Sequence, residues 1–589
     1  MFYFEVYAFK FQYWFFLWHL FFFISLSFSF FIISIFVTLT RCSFHFSLDL
    51  FSSWFIKLTV SFSLDLFSSW FRFVVTLISA IIIIYSYFYI RPYAKAPYFI
   101  WITVFFVLSM LFVINITNFL FIMLGWDGLG LVSFLLIVYY QNHSSVYSGL
   151  FTVLINRIGD CFFIVSISFM VLLYPNMWDS NFIIYNRLLP FFIMLTFITK
   201  RAIYPFSPWL PLAMAAPTPI SALVHSSTLV TAGLYLSMRF SFMFYSYPLI
   251  ISFFLVLSVF TSFYAGLNSV FEVDIKKLIA LSTLSHLGFI GMAFSRGLLY
   301  LSFFHLLVHA LFKSVLFMSM GDIMTNLFHS QDIRFLSSGF NFTTSSFYTI
   351  SVSLINLLGL PSIRGYFSKD LILETLNFTT SSFLIVSLVF FNVLFTYYYT
   401  YQLFYFSFRR LKLSPYFIIN KSSKIHTFCL LALSVVGTFF GWFWISTVTP
   451  WTIHVSVPLV WKLTPYFLNL VVFLYLLLNL SSFKVFNQKL TYYFSNIIFL
   501  SCFIITLISN FYFHLSYQAS KSVEYGVLNW FSNIAVPSIF SNTLFLLVKI
   551  SSVRSSFLVS ISTFLVIIIF LLLSCNINNY MQLLTVKSF

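Results

Sequence analysis

The stretch FHLLVHALFK, residues 304–313, lies inside an apolar run that covers residues 298–320. His305, His309 and Lys313 follow one another at i, i+4 and i+8, so their side chains share one stripe of an α-helix. The run is long enough to cross a bilayer. Ionisable side chains inside lipid are costly and usually face a bundle interior or a wetted cavity. The stretch therefore indicates a membrane helix and a site where ions or protons move.

Two other interpretations of this helix remain open. The histidines could be satisfied core residues, with the lysine extending from the helix end toward water. A zinc site is less favoured, because no Glu follows the HxxxH pair and no Cys or acid stands nearby as a third ligand. The rest of the chain has to decide between them.

The composition of the chain points to a membrane protein. Its 589 residues are 61% hydrophobic and 7% charged, with a mean hydropathy of +1.01. These values exclude a soluble domain and predict an all-α polytopic membrane protein with about 14 to 16 transmembrane helices. The formal net charge of +17 fits loop charges that orient the spans better than a nucleic-acid surface. The five cysteines are scattered singly without a CxxC pair, so no disulfide framework, iron-sulfur cluster or haem attachment is expected.

Acidic residues are rare in this chain, so one inside an apolar run is informative. There are 13 in total, and Asp127 sits in LGWDGLG, residues 124–130, with mostly apolar residues on both sides. The glycines beside it allow close approach of a neighbouring helix. No adjacent residue can neutralise the carboxylate, which makes Asp127 a candidate functional group.

Two lysines stand where apolar runs are interrupted. Lys200 ends such a run and precedes a series of five prolines, after which His225 follows; Lys369 lies in GLPSIRGYFSKD, residues 359–370. Broken helices are tolerated at membrane depth only where the backbone is buried in protein or lines water. Two lysines at well-separated helix breaks are typical of transporters built from inverted repeats. The simpler alternative for Lys369 is an end-of-helix lysine paired with Asp370.

Burial favours the neutral amine of a lysine, whereas a nearby carboxylate favours the ammonium, so an Asp127/Lys200 pair would have two states of similar energy. Histidine can bridge proton steps because it titrates near neutrality. The candidate relay is therefore Asp127, Lys200, His225, His305 with His309, Lys313 and Lys369, in an order inferred from sequence roles.

Seven motifs in this order resemble the antiporter-like proton-pumping subunits of respiratory complex I, and most closely the chain 5 family of NADH:ubiquinone oxidoreductase. They are GWDGLGLVSFLL (125–136), NRIGD (156–160), PWLPLAMAAPTPISALVHSSTLVTAG (208–233), DIKKLIALST (274–283), FHLLVHALFKSVLFMSMG (304–321), QDIR (331–334) and GYFSKDLILE (365–374). The resemblance covers about three fifths of the chain, and the motifs are highly specific in combination.

The resemblance implies a proton channel at the distal tip of the complex I membrane arm. Asp127 and Lys200 would be the coupling pair, His225, His305, His309 and Lys313 the central relay, and Lys369 the exit lysine, with Arg157, Asp160 and Asp370 in support. It also implies N-terminal spans with an amphipathic or hairpin segment (1–95), two antiporter-like repeats (96–245 and 246–408), C-terminal membrane helices (409–510), and a lateral helix with a terminal anchor (511–589).

The implied partners are other membrane-arm subunits, especially the neighbouring antiporter-like chain 4, together with membrane lipids, and no nucleic acid is expected. We expect no redox centre and no cofactor bound by this chain: NADH, FMN, iron-sulfur clusters and quinone would belong to partner subunits, and phospholipids such as cardiolipin are the candidate ligands. The expected location is the mitochondrial inner membrane, with a bacterial plasma membrane as the alternative.

Some positions depart from the family pattern. Asp127 stands where Glu is usual, and the loss of one methylene shortens the reach of the carboxylate by about 1.5 Å. His286 stands where Gln is usual, and Ser207, Ala215, Ala216 and Gln402 also differ. Two other functions remain: a large subunit of an Mrp-type cation/proton antiporter, which shares these motifs, and a structural membrane-arm scaffold.

Overall fold

The computed structural model describes residues 2–52, 57–90, 96–173, 188–326, 330–334, 344–360, 365–379, 382–408, 424–447, 458–478, 510, 513–529, 537–538 and 541. The chain divides into two compact units, Met1–Cys502 and Phe503–Phe589. In the second unit, residues 513–529 are helical and include the π-helical segment Ser520–Leu528. Residues 513–529 fall within the predicted lateral-helix region, 511–589, whose lateral placement stays a prediction, and the terminal anchor predicted at the end of that region lies outside the described residues.

The first unit is built mainly from helices. In chain order they are α1 (Phe2–Thr40), α2 (Leu66–Ile90), α3 (Ala96–Asn115), α4 (Phe119–Ile137), α5 (His143–Leu173), α6 (Leu188–Lys200), α7 (Trp209–Leu212), α8 (Thr218–Ile220), α9 (Leu229–Arg239), α10 (Ser241–Tyr245), α11 (Pro248–Phe271), α12 (Ile275–Ser295), α13 (Leu299–Asn326), α14 (Thr344–Leu358), α15 (Leu371–Thr379), α16 (Phe383–Phe408), α17 (Lys424–Thr447) and α18 (Leu459–Leu478).

Eleven helices of the described part are long and apolar enough to span a membrane, and three shorter apolar helices accompany them. The prediction of an all-α polytopic membrane protein is confirmed. Of the predicted C-terminal membrane helices (409–510), the structure describes residues 424–447, 458–478 and 510, and the repeat boundaries stay a prediction. Because lipid offers no hydrogen-bond partners, helices that satisfy their own backbone are the expected outcome for such apolar runs.

The helices differ strongly in how far they are buried. The membrane-spanning stretches of α12 and α13 are buried completely, whereas only 17% of the residues in the spanning stretch of α1 are buried. Helix α13 packs against α12, α14, α17 and the π-helical segment Ser221–Thr228. Residues 304–313 on α13 therefore lie at the centre of the bundle, and α1 lies at its edge.

An identical sequence takes two different structures near the N-terminus. FSLDLFSSWF occurs at residues 46–55 and again at 62–71. The described part of the first copy is in strand β1 (Phe44–Ser52), which pairs antiparallel with β2 (Lys57–Leu64). The second copy ends β2 and then begins α2. The predicted hairpin is thus a β-hairpin, and tertiary context rather than local sequence selects strand or helix.

Both predicted helix breaks are present. Helix α6 ends at Lys200, and the following proline-rich stretch forms the short helices α7 and α8 before the π-helical segment Ser221–Thr228. Helix α14 ends before Gly359, whose φ of +71° suits a glycine after a helix C-terminus, and a second π-helical segment follows at Tyr366–Asp370. Single-turn π-segments are frequent at functional sites.

Candidate functional site

The first group of charged side chains surrounds the end of α6. Lys200 is fully buried, and its Nζ donates to the backbone carbonyl of Trp126 at 2.6 Å. The same ammonium lies 3.8 Å from the centroid of the Trp126 indole, a cation–π contact. On the other side, the indole Nε1–H donates to Oδ1 of Asp160 at 3.0 Å. Trp126 thus links a buried lysine to a buried carboxylate without direct contact between them.

Arg157 connects the two acids of this group. Its Nη1 lies 3.6 Å from Oδ2 of Asp127 and 3.3 Å from Oδ2 of Asp160. The Arg157 and Asp127 side chains are 44% and 31% exposed, whereas that of Asp160 is 7% exposed. One guanidinium therefore offsets the repulsion between two carboxylates on neighbouring helices.

The geometry differs in detail from the predicted Asp127/Lys200 pair. Among the described residues, Lys200 forms no ion pair within 4.0 Å, and Asp127 has Arg157 as its ionic partner. The shorter side chain of aspartate fits this arrangement, because a glutamate at the same place would reach about 1.5 Å further. Asp127 and Lys200 do lie in one cluster with Arg157 and Asp160, which the NRIGD motif supplies.

His225 lies in the π-helical segment Ser221–Thr228 and is buried. Its imidazole centroid is 6.2 Å from the Trp209 ring, whose Nε1–H donates to the Thr199 carbonyl at 3.1 Å. Neither ring nitrogen of His225 has a hydrogen-bond partner within the described part of the chain. The segment packs on α13, so His225 lies on the element that faces the central helix.

The predicted stripe of α13 points into a second, central group. His305, His309 and Lys313 are all buried. His305 Nδ1 is 2.9 Å from the Ser368 hydroxyl, and Lys313 Nζ donates to the Ser282 hydroxyl on α12. The helix periodicity therefore placed the three side chains correctly on one buried face.

A third histidine belongs to this group, although in the sequence it stands out only as a departure from the family pattern. His286 on α12 is buried, and its Nδ1 lies 3.3 Å from Nε2 of His305. Its Nε2 is 3.4 Å from the Tyr399 hydroxyl on α16. The sequence alone could have indicated His286 as a candidate site residue, because it is another ionisable residue inside an apolar run.

Lys369 is buried at the second helix break. Its Nζ donates to the Leu357 carbonyl at 3.2 Å and to the Thr396 hydroxyl at 2.9 Å, and it lies 4.5 Å from the centroid of the Tyr397 ring. Asp370 is buried as well, with one carboxylate oxygen lacking a hydrogen-bond partner among the described residues. Lys369 therefore does not extend to the surface. It adjoins Ser368, which contacts His305.

These residues form three neighbouring groups: the Asp127, Arg157, Asp160 and Lys200 cluster, the three histidines with Lys313, and Lys369 with Asp370. In the part of the chain that the structure describes, no group of three or more His, Cys, Asp or Glu side chains could hold a metal ion. The donors present are imidazoles, ammonium groups and hydroxyls, which can accept and release protons. The arrangement suits proton movement through a buried, polar interior.

Comparisons with known proteins identify the family. Residues 116–396 match the family model described as NADH:quinone oxidoreductase/Mrp antiporter, TM. NADH-ubiquinone oxidoreductase chain 5 of Anopheles gambiae is 41% identical over 413 residues, which cover 67% of this chain and 69% of that protein. This chain belongs to the NADH-ubiquinone oxidoreductase chain 5 family. Chain 5 of Locusta migratoria is 43% identical over 380 residues, which cover 62% of this chain and 65% of the locust protein. The match thus spans slightly less than two thirds of the locust relative.

Two solved structures share the fold of this chain 5 family member. The Mrp complex from Dietzia sp. superimposes with a TM-score of 0.68 at 19% identity, covering 90% of this chain and 60% of the Mrp chain. The membrane-bound sulfane sulfur reductase, an archaeal respiratory membrane complex, gives a TM-score of 0.64 at 17% identity, covering 73% of this chain and 90% of the other. The helical bundle of this chain therefore has the same fold as these two membrane proteins.

Proposed function

We propose that this chain translocates protons across a membrane as a subunit of complex I, driven by redox chemistry in other subunits. One observation carries the proposal: Lys200, Lys313 and Lys369 are each buried, and among the described residues none of the three forms an ion pair within 4.0 Å. A buried ammonium with no carboxylate in direct contact is close in energy to the neutral amine, so each lysine can take up and release a proton.

The contacts of each lysine suit such a cycle. Lys200 and Lys369 each donate to a backbone carbonyl and lie over an aromatic ring, which are weaker partners for an ammonium than a carboxylate. Lys313 donates to a serine hydroxyl, which can also pass a proton onward. Three such lysines, separated by histidines and hydroxyl groups, provide successive places for one transferred charge.

Coupling to electron transfer would act on the first group. Arg157 holds Asp127 and Asp160 together at the edge of the cluster, with Asp127 partly exposed. A neighbouring subunit that attracts Arg157 would leave two carboxylates less compensated and raise the preference of Lys200 for its charged form. Because such coupling is reciprocal in its binding terms, the charge of Lys200 would also act back on the neighbour.

The proposed assembly is the one that the family resemblance implies. We place the chain in the membrane arm of complex I, beside the antiporter-like chain 4, in the mitochondrial inner membrane, with cardiolipin among the lipids around it. NADH, FMN, the iron-sulfur clusters and the quinone are assigned to partner subunits. The relatives named chain 5 in insects support this placement.

The test is the substitution Lys200→Ala in the assembled complex, with Lys277→Ala as the control. Lys277 is 46% exposed and pairs with Asp274 at 2.7 Å, so its loss removes a lysine outside the buried groups. We expect Lys200→Ala to lower the number of protons moved per NADH oxidised and Lys277→Ala to leave it unchanged. Intact pumping by an assembled, electron-transferring Lys200→Ala complex would refute the proposal.

A second candidate is cation/proton exchange of the Mrp type, favoured by the superposition with the Mrp complex from Dietzia sp.. It predicts that an imposed Na⁺ gradient drives proton movement in proteoliposomes without NADH. The third, a structural scaffold, predicts that truncation of residues 511–589 abolishes assembly while lysine variants pump normally. Proton movement that requires NADH oxidation and Lys200 contradicts both.

A further inference from the structure

The hydrogen bonds of the central group do not follow the stripe of α13. Neither ring nitrogen of His309 has a hydrogen-bond partner among the described residues, although His309 lies between His305 and Lys313 in the helix. Its ring centroid is 6.5 Å from that of His305. A proton that moves by hydrogen-bonded steps therefore needs another way from Lys313 to His305.

Such a way is present through the neighbouring helices α12 and α16. Lys313 Nζ donates to the Ser282 hydroxyl, and the Tyr399 hydroxyl is near the hydroxyls of Ser282 and Ser285, which themselves donate to the carbonyls of Ile279 and Ser282. Tyr399 is 3.4 Å from His286 Nε2, and His286 Nδ1 is 3.3 Å from His305 Nε2. Every group along this path is buried.

The directions of these hydrogen bonds are mutually consistent for one set of neutral tautomers. If His286 carries its proton on Nδ1, it donates to Nε2 of His305 and its own Nε2 accepts from the Tyr399 hydroxyl. His305 then carries its proton on Nδ1 and donates to the Ser368 hydroxyl at 2.9 Å. A neutral histidine has one donor and one acceptor, so this assignment satisfies both nitrogens of both rings.

We propose that His286 is a proton carrier between Lys313 and His305, and that Tyr399 is the hydroxyl through which the proton reaches it. This inference rests on the proposed function as a proton-translocating chain. It adds to that function a route from α13 through α12 and α16 and back to α13, which bypasses His309. His286 then acts as a relay group in its own right, with an ionisable ring where the family pattern has an amide.

The transfer balances as follows. Lys313 gives one proton to the Ser282 oxygen. The former Ser282 hydroxyl proton, which the structure shows donated to the Ile279 carbonyl at 2.6 Å, passes to the Tyr399 oxygen once the hydroxyl has rotated, and the former Tyr399 proton passes to Nε2 of His286. The Nδ1 proton of His286 moves to Nε2 of His305. Lys313 ends neutral, Ser282, Tyr399 and His286 end neutral, and His305 ends as the imidazolium, so one positive charge has moved. No bond between heavy atoms changes.

A purely structural role for His286 makes a different prediction. A glutamine can donate and accept hydrogen bonds in the same place, so His286→Gln would preserve a structural contact. An amide does not take up and release protons near neutral pH as an imidazole does. The same logic applies to Tyr399→Phe, which removes a single oxygen atom from a buried ring.

The experiment measures protons moved per NADH oxidised in the assembled complex that carries His286→Gln, Tyr399→Phe or both. The control is His19→Gln, because His19 is a buried histidine of α1 that packs on the Trp101 ring, on a helix outside the central group. We expect a lower ratio for each single variant, no further loss in the double variant, and an unchanged ratio for the control. Residues on one path are expected to be non-additive in this way.

Two results would overturn the inference. One is an unchanged ratio in both assembled single variants; the other is a loss on His309→Gln but none on His286→Gln, which would return the route to the stripe of α13. If His286→Gln fails to assemble, Tyr399→Phe decides. Lys200→Ala is measured in the same way, so that failure of the relay can be told from failure of the proposed function. If Lys200→Ala lowers the number of protons moved per NADH oxidised while the His286 and Tyr399 variants do not, the relay is refuted and the proposed function stands.

Discussion

Trp126 has two separate contacts in the first charged group, and they can be tested apart. Its ring and carbonyl contact Lys200, while its indole N–H donates to Asp160. Phenylalanine would keep an aromatic face and the backbone carbonyl but remove the donor. The indole nitrogen thus sets how well the Asp160 carboxylate is satisfied, independently of the lysine.

We expect Trp126→Phe to reduce proton translocation and to lower stability by about 1.5–3 kcal/mol, the range for a hydrogen bond to a charged group. The control is Trp70→Phe, because Trp70 is buried but its Nε1 has no hydrogen-bond partner in the described part of the chain. Thermal unfolding and proton-to-electron ratios of the two variants check this. Equal effects at both positions would mean that the contact with Asp160 is unimportant.

The position of Lys200 depends on how closely α5 and α6 approach. A Cβ at Gly159 on α5 would collide with the side chain of Thr199, the residue before Lys200. Gly130 on α4 has no heavy atom within 4 Å of its Cβ position. The same substitution therefore has opposite consequences on adjacent helices.

Gly130→Ala should stabilise the chain slightly, by about 0.5–1 kcal/mol, because alanine loses less entropy in a helix than glycine. Gly159→Ala should displace α6 and with it Lys200, lowering both thermal stability and proton translocation. Unfolding temperatures of the purified complexes provide the measurement. A Gly159→Ala variant as stable and active as Gly130→Ala would show that α6 shifts without cost.

The two copies of FSLDLFSSWF supply a matched pair of aspartates. Asp65 lies 3.7 Å from Nη2 of Arg239 at the end of α9, whereas the equivalent Asp49 is exposed in β1. Arg239 also donates to the Ile114 carbonyl at 2.7 Å. Asp65 therefore joins the hairpin to α9 and α3 through one guanidinium.

Asp65→Asn should destabilise the chain by about 0.5–1 kcal/mol, because Arg239 loses the carboxylate of an ion pair while it keeps its other hydrogen bonds. Asp49→Asn, which changes the same letter of the same decapeptide, should have a clearly smaller effect. Limited proteolysis of the hairpin and thermal unfolding compare the two. Equal destabilisation by the two substitutions would mean that the ion pair between Asp65 and Arg239 does not hold the hairpin to the bundle.

Among the described spans, α12 and α13 are buried completely and α1 is the least buried. Phe71 is fully buried and stacks on Tyr235 at 4.9 Å between ring centroids, whereas Phe28 on α1 is 66% exposed. In lipid, packing rather than water exclusion distinguishes such positions, because lipid tails are as apolar as the side chains.

Phe71→Ala should cost about 3–5 kcal/mol, as is typical when a phenylalanine site in a core is emptied. Phe28→Ala should change stability little, since lipid can fill the space. Unfolding in the same detergent or lipid tests both variants. A comparable loss at Phe28 would indicate that this face of α1 is covered by another protein in the assembly.

Much of the fold follows from the sequence because lipid leaves few alternatives: an apolar run of sufficient length has to be a helix. The same rule placed His305, His309 and Lys313 on one buried face. Side-chain contacts between helices do not follow from such patterns. The insertion of Trp126 between Lys200 and Asp160 depends on interhelical distances. The contact between His286 and His305 likewise depends on the packing of α12 against α13, which the sequence pattern does not give.

The duplicated decapeptide has a consequence for how the chain tolerates genetic change. Loss of one sixteen-residue repeat unit, residues 46–61, would join His45 directly to a second copy that is already the entry to α2. Such a deletion would erase most of the hairpin yet retain Asp65 and its partner on α9. Slippage between the two copies would thus lengthen or shorten a surface feature while the membrane bundle keeps its anchoring ion pair.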